Sequence, residues 1–466
     1  MLFSSMFFIY AFLPLLLVVY FMTKEEFRNG VLLAASLIFY SWGEPNYLVI
    51  MLLTIAVNYY AALFIEKYRR YGFCILVAAV LIDLLFLGYF KYFNFFVHNL
   101  NYVVGTSFEF IKVIMPIGIS FYTFQALSYV VDVYRQDVPA QTEFSKVALY
   151  ISLFPQLVAG PIVKYHDVAE QILHRKSEPE MVYRGVRRFI IGLAKKVLIA
   201  NNMGLVADKV FSAPVDQVDT LTSWIGAVCY SLQLFFDFSG YSDMAIGLGM
   251  IFGFRFMENF NYPYISSSIT EFWRRWHISL STWFKQYVYI PLGGNRVSTR
   301  RMYFNLLVVF FVTGFWHGAE WTFIVWGMWH GLFIVLEKIT GWHKCEGGLL
   351  SRTFRHTATL FIVLVGWVFF RANDLSHATA YLKNMFGLVE HTYLPFGPAY
   401  FYDNIQIIAF AAGILFSLPA AKLVTERFED RVLFRPFYNI GLLALFALTS
   451  VFLAANTYNP FIYFRF

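Results

Sequence analysis

The chain has 466 residues, of which 59% are hydrophobic and 14% charged, with 54 Phe, 31 Tyr and 11 Trp. A soluble domain carries roughly 25% charged residues, so this composition excludes an ordinary soluble fold, and Trp and Tyr are the side chains that settle at bilayer headgroups. The formal charge of +7 sits in short Lys/Arg tracts between apolar runs, a pattern of membrane orientation that argues against a nucleic-acid-binding face.

Leu2–Met22 carries no charged residue, and a hydrocarbon core of ~30 Å needs about 20 such residues. No Lys or Arg precedes it and no small-residue cleavage pattern follows, so it reads as a retained helix and not a leader. Apolar runs continue at Val31–Trp42, Tyr47–Ile65, Phe73–Phe90, Val113–Val133, Val147–Val163, Phe189–Val206, Leu221–Phe236, Tyr303–Trp316, Trp321–Leu336, Leu360–Phe370, Ile405–Leu423 and Ile440–Ala455. Several are short enough to be re-entrant or interfacial. The expectation is an all-α polytopic membrane protein with about ten to eleven transmembrane helices. It forms a single membrane-embedded domain over residues 1–466. Lys24 and Arg28 follow the first run, Ser41–Asn46 has no Lys or Arg, and Lys67, Arg69 and Arg70 follow the third. That alternation puts the amino terminus outside and the basic loops in the cytoplasm. Cys74, Cys229 and Cys345 are isolated, which supports neither a disulfide framework nor a metal knuckle.

Candidate chemistry begins at His166, Glu170 and His174, spaced to share one helical face. Their segment, KYHDVAEQILHRK, reads as a solvated loop helix, and no metal is expected. Asp237 and Asp243 in FFDFSGYSDMAIG fall between apolar runs. They either orient a histidine or substrate hydroxyl, or tie two helices together in a buried network. Between Asn259 and Arg301, Thr270 can cap a helix carrying Phe272, Trp273, Trp276, Leu280 and Trp283 with basic residues between them, lying in or dipping from the interface. Within it, His277 follows Arg274 and Arg275; it is either a second catalytic group or structural. PLGGNR at 291–296, followed by Arg300 and Arg301, offers Arg296, Arg300 and Arg301 as a basic rim for cofactor phosphates, or is a glycine turn before a basic loop.

The segment FWHGAEWTFIVWGMWHG, residues 315–331, contains Trp-His-Gly twice, at His317 and at His330. An ionisable residue inside a membrane is a functional hypothesis by default. If Gly318 breaks the helix, His317 faces a cavity at mid-depth. A neutral imidazole there takes the proton from a hydroxyl while that oxygen attacks an ester or thioester carbonyl. The plainer reading of both histidines is a core ring bonded to a neighbouring carbonyl. No GxSxG, HExxH, P-loop or GxGxxG occurs, so hydrolase, zinc protease, ATPase and dinucleotide enzyme all lose support. A transporter or flippase also fits buried Asp and His among broken helices.

Taken together, MLFSSMFFIYAFLPLLLVVYF, MPIGISFYTFQALSYVVDVYR, FPQLVAGPIVKYHD, WRRWHISLSTWF, GFWHGAEWTFIVWGMWHG and NPFIYFRF resemble the bacterial alginate O-acetylation branch of the membrane-bound O-acyltransferase family, almost end to end. The resemblance implies a fold with a central cavity, an outer funnel and a cytoplasmic tunnel meeting at a histidine. It places the catalytic role on His317, a second polar landmark on His277, and a less defined role on His330. It implies acetyl-CoA as acyl donor with no permanently bound cofactor, a bacterial inner-membrane location, and O-acetylation of a cell-surface polysaccharide. It also implies an extracytoplasmic esterase-like acetyltransferase partner. Peptidoglycan O-acetylation and D-alanyl transfer to teichoic acid are alternatives within the same chemistry. The loops Thr340–His356 and Phe386–Asp403 fall outside the resemblance and leave the acceptor glycan open.

Overall fold

The computed structural model describes all residues except 111–112, 343–346, 392–396, 429–433, 456–457 and 463–466. Cys345, parts of the loops Thr340–His356 and Phe386–Asp403, and the last four residues of NPFIYFRF lie outside the described residues. The protein is an all-α polytopic membrane protein, with no strand among the described residues. Among the described residues, six helices are long and apolar enough to cross a bilayer: Pro45–Lys67, Arg69–Val104, Pro179–Ser212, Trp321–Thr340, Leu349–Arg371 and Phe434–Ala455. Phe8–Met22 and Asn404–Phe416 are shorter apolar helices. Thr220–Ile251 has 32 residues and, at 1.5 Å per residue, runs about 48 Å. Asp237 and Asp243 therefore lie inside a continuous helix and not between spans.

The chain divides into two compact units, Met1–Phe189 with Tyr241–Met257, and Ile190–Gly240 with Glu258–Phe466. It passes from one to the other three times, twice within the helices Pro179–Ser212 and Thr220–Ile251 and once more after Met257.

In the first unit, Leu48–Lys67, Gly72–Leu87 and Ile119–Arg135 pack on one another. Asn58 of the first donates through Nδ2 to both carboxylate oxygens of Asp83 at 3.0 Å, so the acid in the most apolar stretch is satisfied by an amide. The run Val147–Val163 does not form one span. Leu153 (φ −54°, ψ 109°) ends the helix Phe144–Ser152, and the short turn Phe154–Leu157 begins on the other side, all of it buried. Arg188 reaches Asp243 at 2.9 Å, so Asp243 is one half of an ion pair between two helices.

His166 lies in the first turn of the helix Tyr165–Leu173, but His174 lies beyond its end in extended backbone, so the three residues at i, i+4 and i+8 do not share a face. His166 Nδ1 meets Asp132 Oδ2 at 2.8 Å and Nε2 meets Asp167 Oδ1 at 3.2 Å. The Asp132 bond, helped by Asp167, raises this imidazole to about 9.

In the second unit, Thr299–His317 and Trp321–Thr340 form an antiparallel pair with Leu349–Arg371 packed on the latter. Gly314 and Gly327 face each other where the two backbones cross. A side chain at Gly314 would collide with the Phe323 carbonyl, and one at Gly327 with the Phe310 carbonyl. Small residues at a helix crossing are the usual solution in a bilayer, where close van der Waals packing drives association. That crossing fixes where the first helix ends, and it ends at His317.

Candidate active site

His317 is the last residue of its helix. Gly318 continues in extended backbone, and a side chain there would run into the Phe323 ring, so only glycine permits the tight turn into Trp321. The His317 side chain is almost wholly buried and packs among rings: Trp316 at 4.9 Å, Trp326 at 5.0 Å and near-perpendicular, and Phe370 at 5.2 Å between centroids.

His330 lies on the following helix and is fully buried. Its ring meets Trp273 at 5.3 Å and Trp326 at 5.4 Å. Neither nitrogen has a hydrogen-bond partner among the described residues.

His277 comes from a segment that the helical spacing misreads. The expected amphipathic helix is two short helices, Ile269–Arg275 and Ile278–Phe284, broken at His277 with φ 44° and ψ 55°. Left-handed backbone at a non-glycine residue costs of order 1–3 kcal/mol and persists only when its surroundings impose it. Here Ile278 N–H donates to the Asn259 carbonyl at 2.9 Å, and Ser279 Oγ donates to Asn259 Oδ1 at 2.8 Å. The cap of the first helix is also not Thr270. Ser268 Oγ accepts from Glu271 N–H at 3.0 Å, while Glu337 accepts from the N–H groups of Ile269 and Thr270 and from Thr270 Oγ1. Phe272, Trp273, Trp276, Leu280 and Trp283 are all buried; the segment is interior to its unit and not a surface helix. His277 Nδ1 accepts from Leu280 N–H at 3.3 Å, so the ring hydrogen sits on Nε2, which is buried without a partner among the described residues.

The three histidines are linked through indoles. Trp316 lies between His277, at 6.5 Å, and His317, and Trp326 lies between His317 and His330. Residues distant in sequence, at 277, 317 and 330, thus meet in one aromatic cluster.

The carboxylates are elsewhere engaged. Asp237 pairs with Lys196 at 2.6 Å, with side chains 1% and 3% exposed, and accepts from Ile462 N–H at 2.9 Å. Asp243 belongs to the other unit, with Arg188. Each aspartate thus makes an ion pair between two helices. Arg296, Arg300 and Arg301 are exposed at the far end of the His317 helix, after a turn in which Gly293 and Gly294 have φ 104° and 54°. From Arg301 to His317 the helix rises about 24 Å.

Beside His317 lies a half-open cavity of about 370 Å³, whose lining includes Tyr230, Glu320, Phe323, Phe370, Arg371 and Asn373. Phe370 also touches His317, so one ring separates the imidazole from the cavity. Sequence reasoning missed Lys196, Glu320 and Arg371. The available signal was a charge within or closing an apolar run, as Arg371 closes Leu360–Phe370. A ring-lined, buried imidazole next to a polar cavity can accept a proton from a hydroxyl brought to that cavity.

Residues 61–344 match the model of the membrane-bound O-acyltransferase family. The chain is 38% identical to the probable alginate O-acetylase of Pseudomonas aeruginosa and 39% identical to that of Azotobacter vinelandii, in each case over the whole of both chains. It is 36% identical to a peptidoglycan O-acetyltransferase of Helicobacter pylori, over 91% of this chain and 87% of that one. With the family model covering more than half its length and two of these relatives matching it over its whole length, the chain belongs to the membrane-bound O-acyltransferase family and is an O-acyltransferase.

Proposed function

We propose that the protein moves acetyl groups from acetyl-CoA, taken from the cytoplasmic side of a bacterial inner membrane, to a hydroxyl acceptor bound for a cell-surface polysaccharide such as alginate. The observation that carries this reading is the position of His317: buried among Trp316, Trp326 and Phe370, and one ring from a polar cavity. The relatives' names supply the acetyl group and the glycan class. His317 takes the proton of the acceptor hydroxyl as its oxygen bonds to the thioester carbonyl carbon. The carbon–sulfur bond then breaks, and the proton passes to the departing thiolate. His277, its Nε2–H fixed by the Leu280 contact, donates to the carbonyl oxygen as charge builds there. His330 packs on Trp326, the ring that also packs on His317, and so supports the setting of His317.

Arg296, Arg300 and Arg301 meet the donor's phosphates at the far end of the helix, with the amino terminus outside as the loop charges dictate. An extracytoplasmic esterase-like partner receives the acetyl group or presents the glycan. Residues 1–466 act as one catalytic domain: the family match runs through both compact units, and the chain joins them twice in mid-helix.

The test is transfer of radiolabelled acetyl from acetyl-CoA by purified, reconstituted protein, with wild type set against His317→Ala at matched thermal stability. Loss of transfer by a factor of roughly 10²–10⁴ is expected for removal of a general base. Equal transfer removes His317 from the chemistry.

A further inference from the structure

The segment Tyr458–Ile462 is seated on the helices Pro179–Ser212 and Thr220–Ile251 by four polar contacts. Tyr458 Oη donates to Asp208 Oδ2 at 2.7 Å, and Asn201 Nδ2 donates to Asn459 Oδ1 at 3.2 Å. Lys196 Nζ donates to the Pro460 carbonyl, and Ile462 N–H to Asp237. The first contact leads to the cavity. Asp208 holds Arg371 through its other oxygen, Oδ1, at 2.7 Å, and Arg371 is in the cavity wall beside His317. Its guanidinium lies over the rings of Phe211 and Tyr230, at 5.4 and 5.9 Å. Gly204 leaves the room this needs, since a side chain there would come within 2.8 Å of Tyr458 Oη.

Resting on the acyl-transfer reading above, we propose that Arg371 is a positioning residue for the acceptor, set in place by Asp208 and through it by Tyr458, and that the cavity takes a polyhydroxylated sugar-type group. The charges argue against a free anion, because Asp208 already offsets Arg371. What remains is the mixture that suits vicinal hydroxyls, a guanidinium and an amide that donate, a carboxylate that accepts, and aromatic faces for the ring carbons. The cavity volume of about 370 Å³ is at the small end of ligand sites, ~300–1,000 Å³, and fits a single sugar unit better than a folded loop of protein.

The experiment measures steady-state transfer by the full chain with acetyl-CoA and, in turn, an alginate oligosaccharide, its carboxyl-reduced neutral counterpart, and a serine peptide. Tyr458→Phe is expected to raise the KM for both oligosaccharides about three- to tenfold, with the KM for acetyl-CoA, kcat and thermal stability unchanged. Arg371→Ala raises it further, Arg371→Lys recovers part, and the double variant with Tyr458→Phe is no worse than Arg371→Ala alone. An unchanged acceptor KM, additive effects in the double variant, an effect confined to the uronate form, or acceptance of the serine peptide alone overturns the proposal. Wild type that transfers to none of the three even with the extracytoplasmic partner present defeats the acyl-transfer reading itself. Calorimetric binding of the neutral oligosaccharide then decides the cavity separately: weaker binding by both variants upholds the sugar site, and equal binding overturns it.

Discussion

The second unit buries polar groups in two contrasting ways. Lys196 and Asp237 satisfy each other and the Tyr458–Ile462 segment. His277 and His330, equally buried, keep three ring nitrogens without hydrogen bonds among the described residues, and His317 is enclosed by three aromatic rings. An unsatisfied buried polar atom costs about 1–3 kcal/mol, so stability alone does not favour the histidine cluster. On the function proposed above, the comparison teaches that the ion pair is architecture, whereas the histidines are buried for the sake of the chemistry.

The largest effect that would break this contrast is on the ion pair. Asp237→Ala strands Lys196 in the interior and is expected to lower stability by about 3–5 kcal/mol, read as thermal unfolding in detergent. Joint replacement, Lys196→Met with Asp237→Leu, restores most of that loss. Gly314→Val forces apart the two helices whose crossing places His317, with an expected cost of about 1–3 kcal/mol and a parallel fall in acetyl transfer. Equal unfolding temperatures for Gly314→Val and wild type would show that the crossing does not constrain the site.

His330→Leu sharpens the contrast from the other side. With no hydrogen bond to lose, it is expected to cost under about 1.5 kcal/mol, while acetyl transfer falls because Trp326 loses its packing partner. A large drop in unfolding temperature without loss of transfer would make His330 structural. The smallest effect is in the first unit. Because Asp132 and Asp167 raise His166 from 6.5 to about 9, its contribution to stability is full below about pH 6.5 and disappears as pH rises through about 9. The unfolding temperatures of wild type and His166→Gln therefore differ most near pH 6 and converge by about pH 9.5.

Much of this was legible in the sequence, for reasons tied to particular residues. The apolar runs Leu2–Met22, Leu360–Phe370 and Ile440–Ala455 fall on the helices Phe8–Met22, Leu349–Arg371 and Phe434–Ala455, the second of them covering only the C-terminal half of its helix, and the doubled Trp-His-Gly gave both histidines of the helix pair. The long helix Pro179–Ser212 was seen only as Phe189–Val206, because Arg184, Arg187 and Arg188 interrupt the apolar pattern while their charges are met by partners such as Glu180 and Asp243. Asp237 and Asp243 read as interruptions for the same reason. The break at His277 was unreadable because 3.6-residue spacing continues through it; the left-handed backbone is imposed by Asn259 from outside the segment. The link from Tyr458 through Asp208 to Arg371 joins residues up to 250 apart and leaves no local pattern.

The central claim, chemistry at His317 and architecture at Asp237, is tested most directly by single-turnover transfer of labelled acetyl in His317→Gln and Asp237→Asn, with activity normalised to folded protein and thermal stability recorded beside it. The account predicts that His317→Gln unfolds like wild type and loses at least about a hundredfold in rate, while Asp237→Asn unfolds earlier yet turns over normally per folded molecule. Near-normal transfer by folded His317→Gln, or its loss from folded Asp237→Asn, would contradict it.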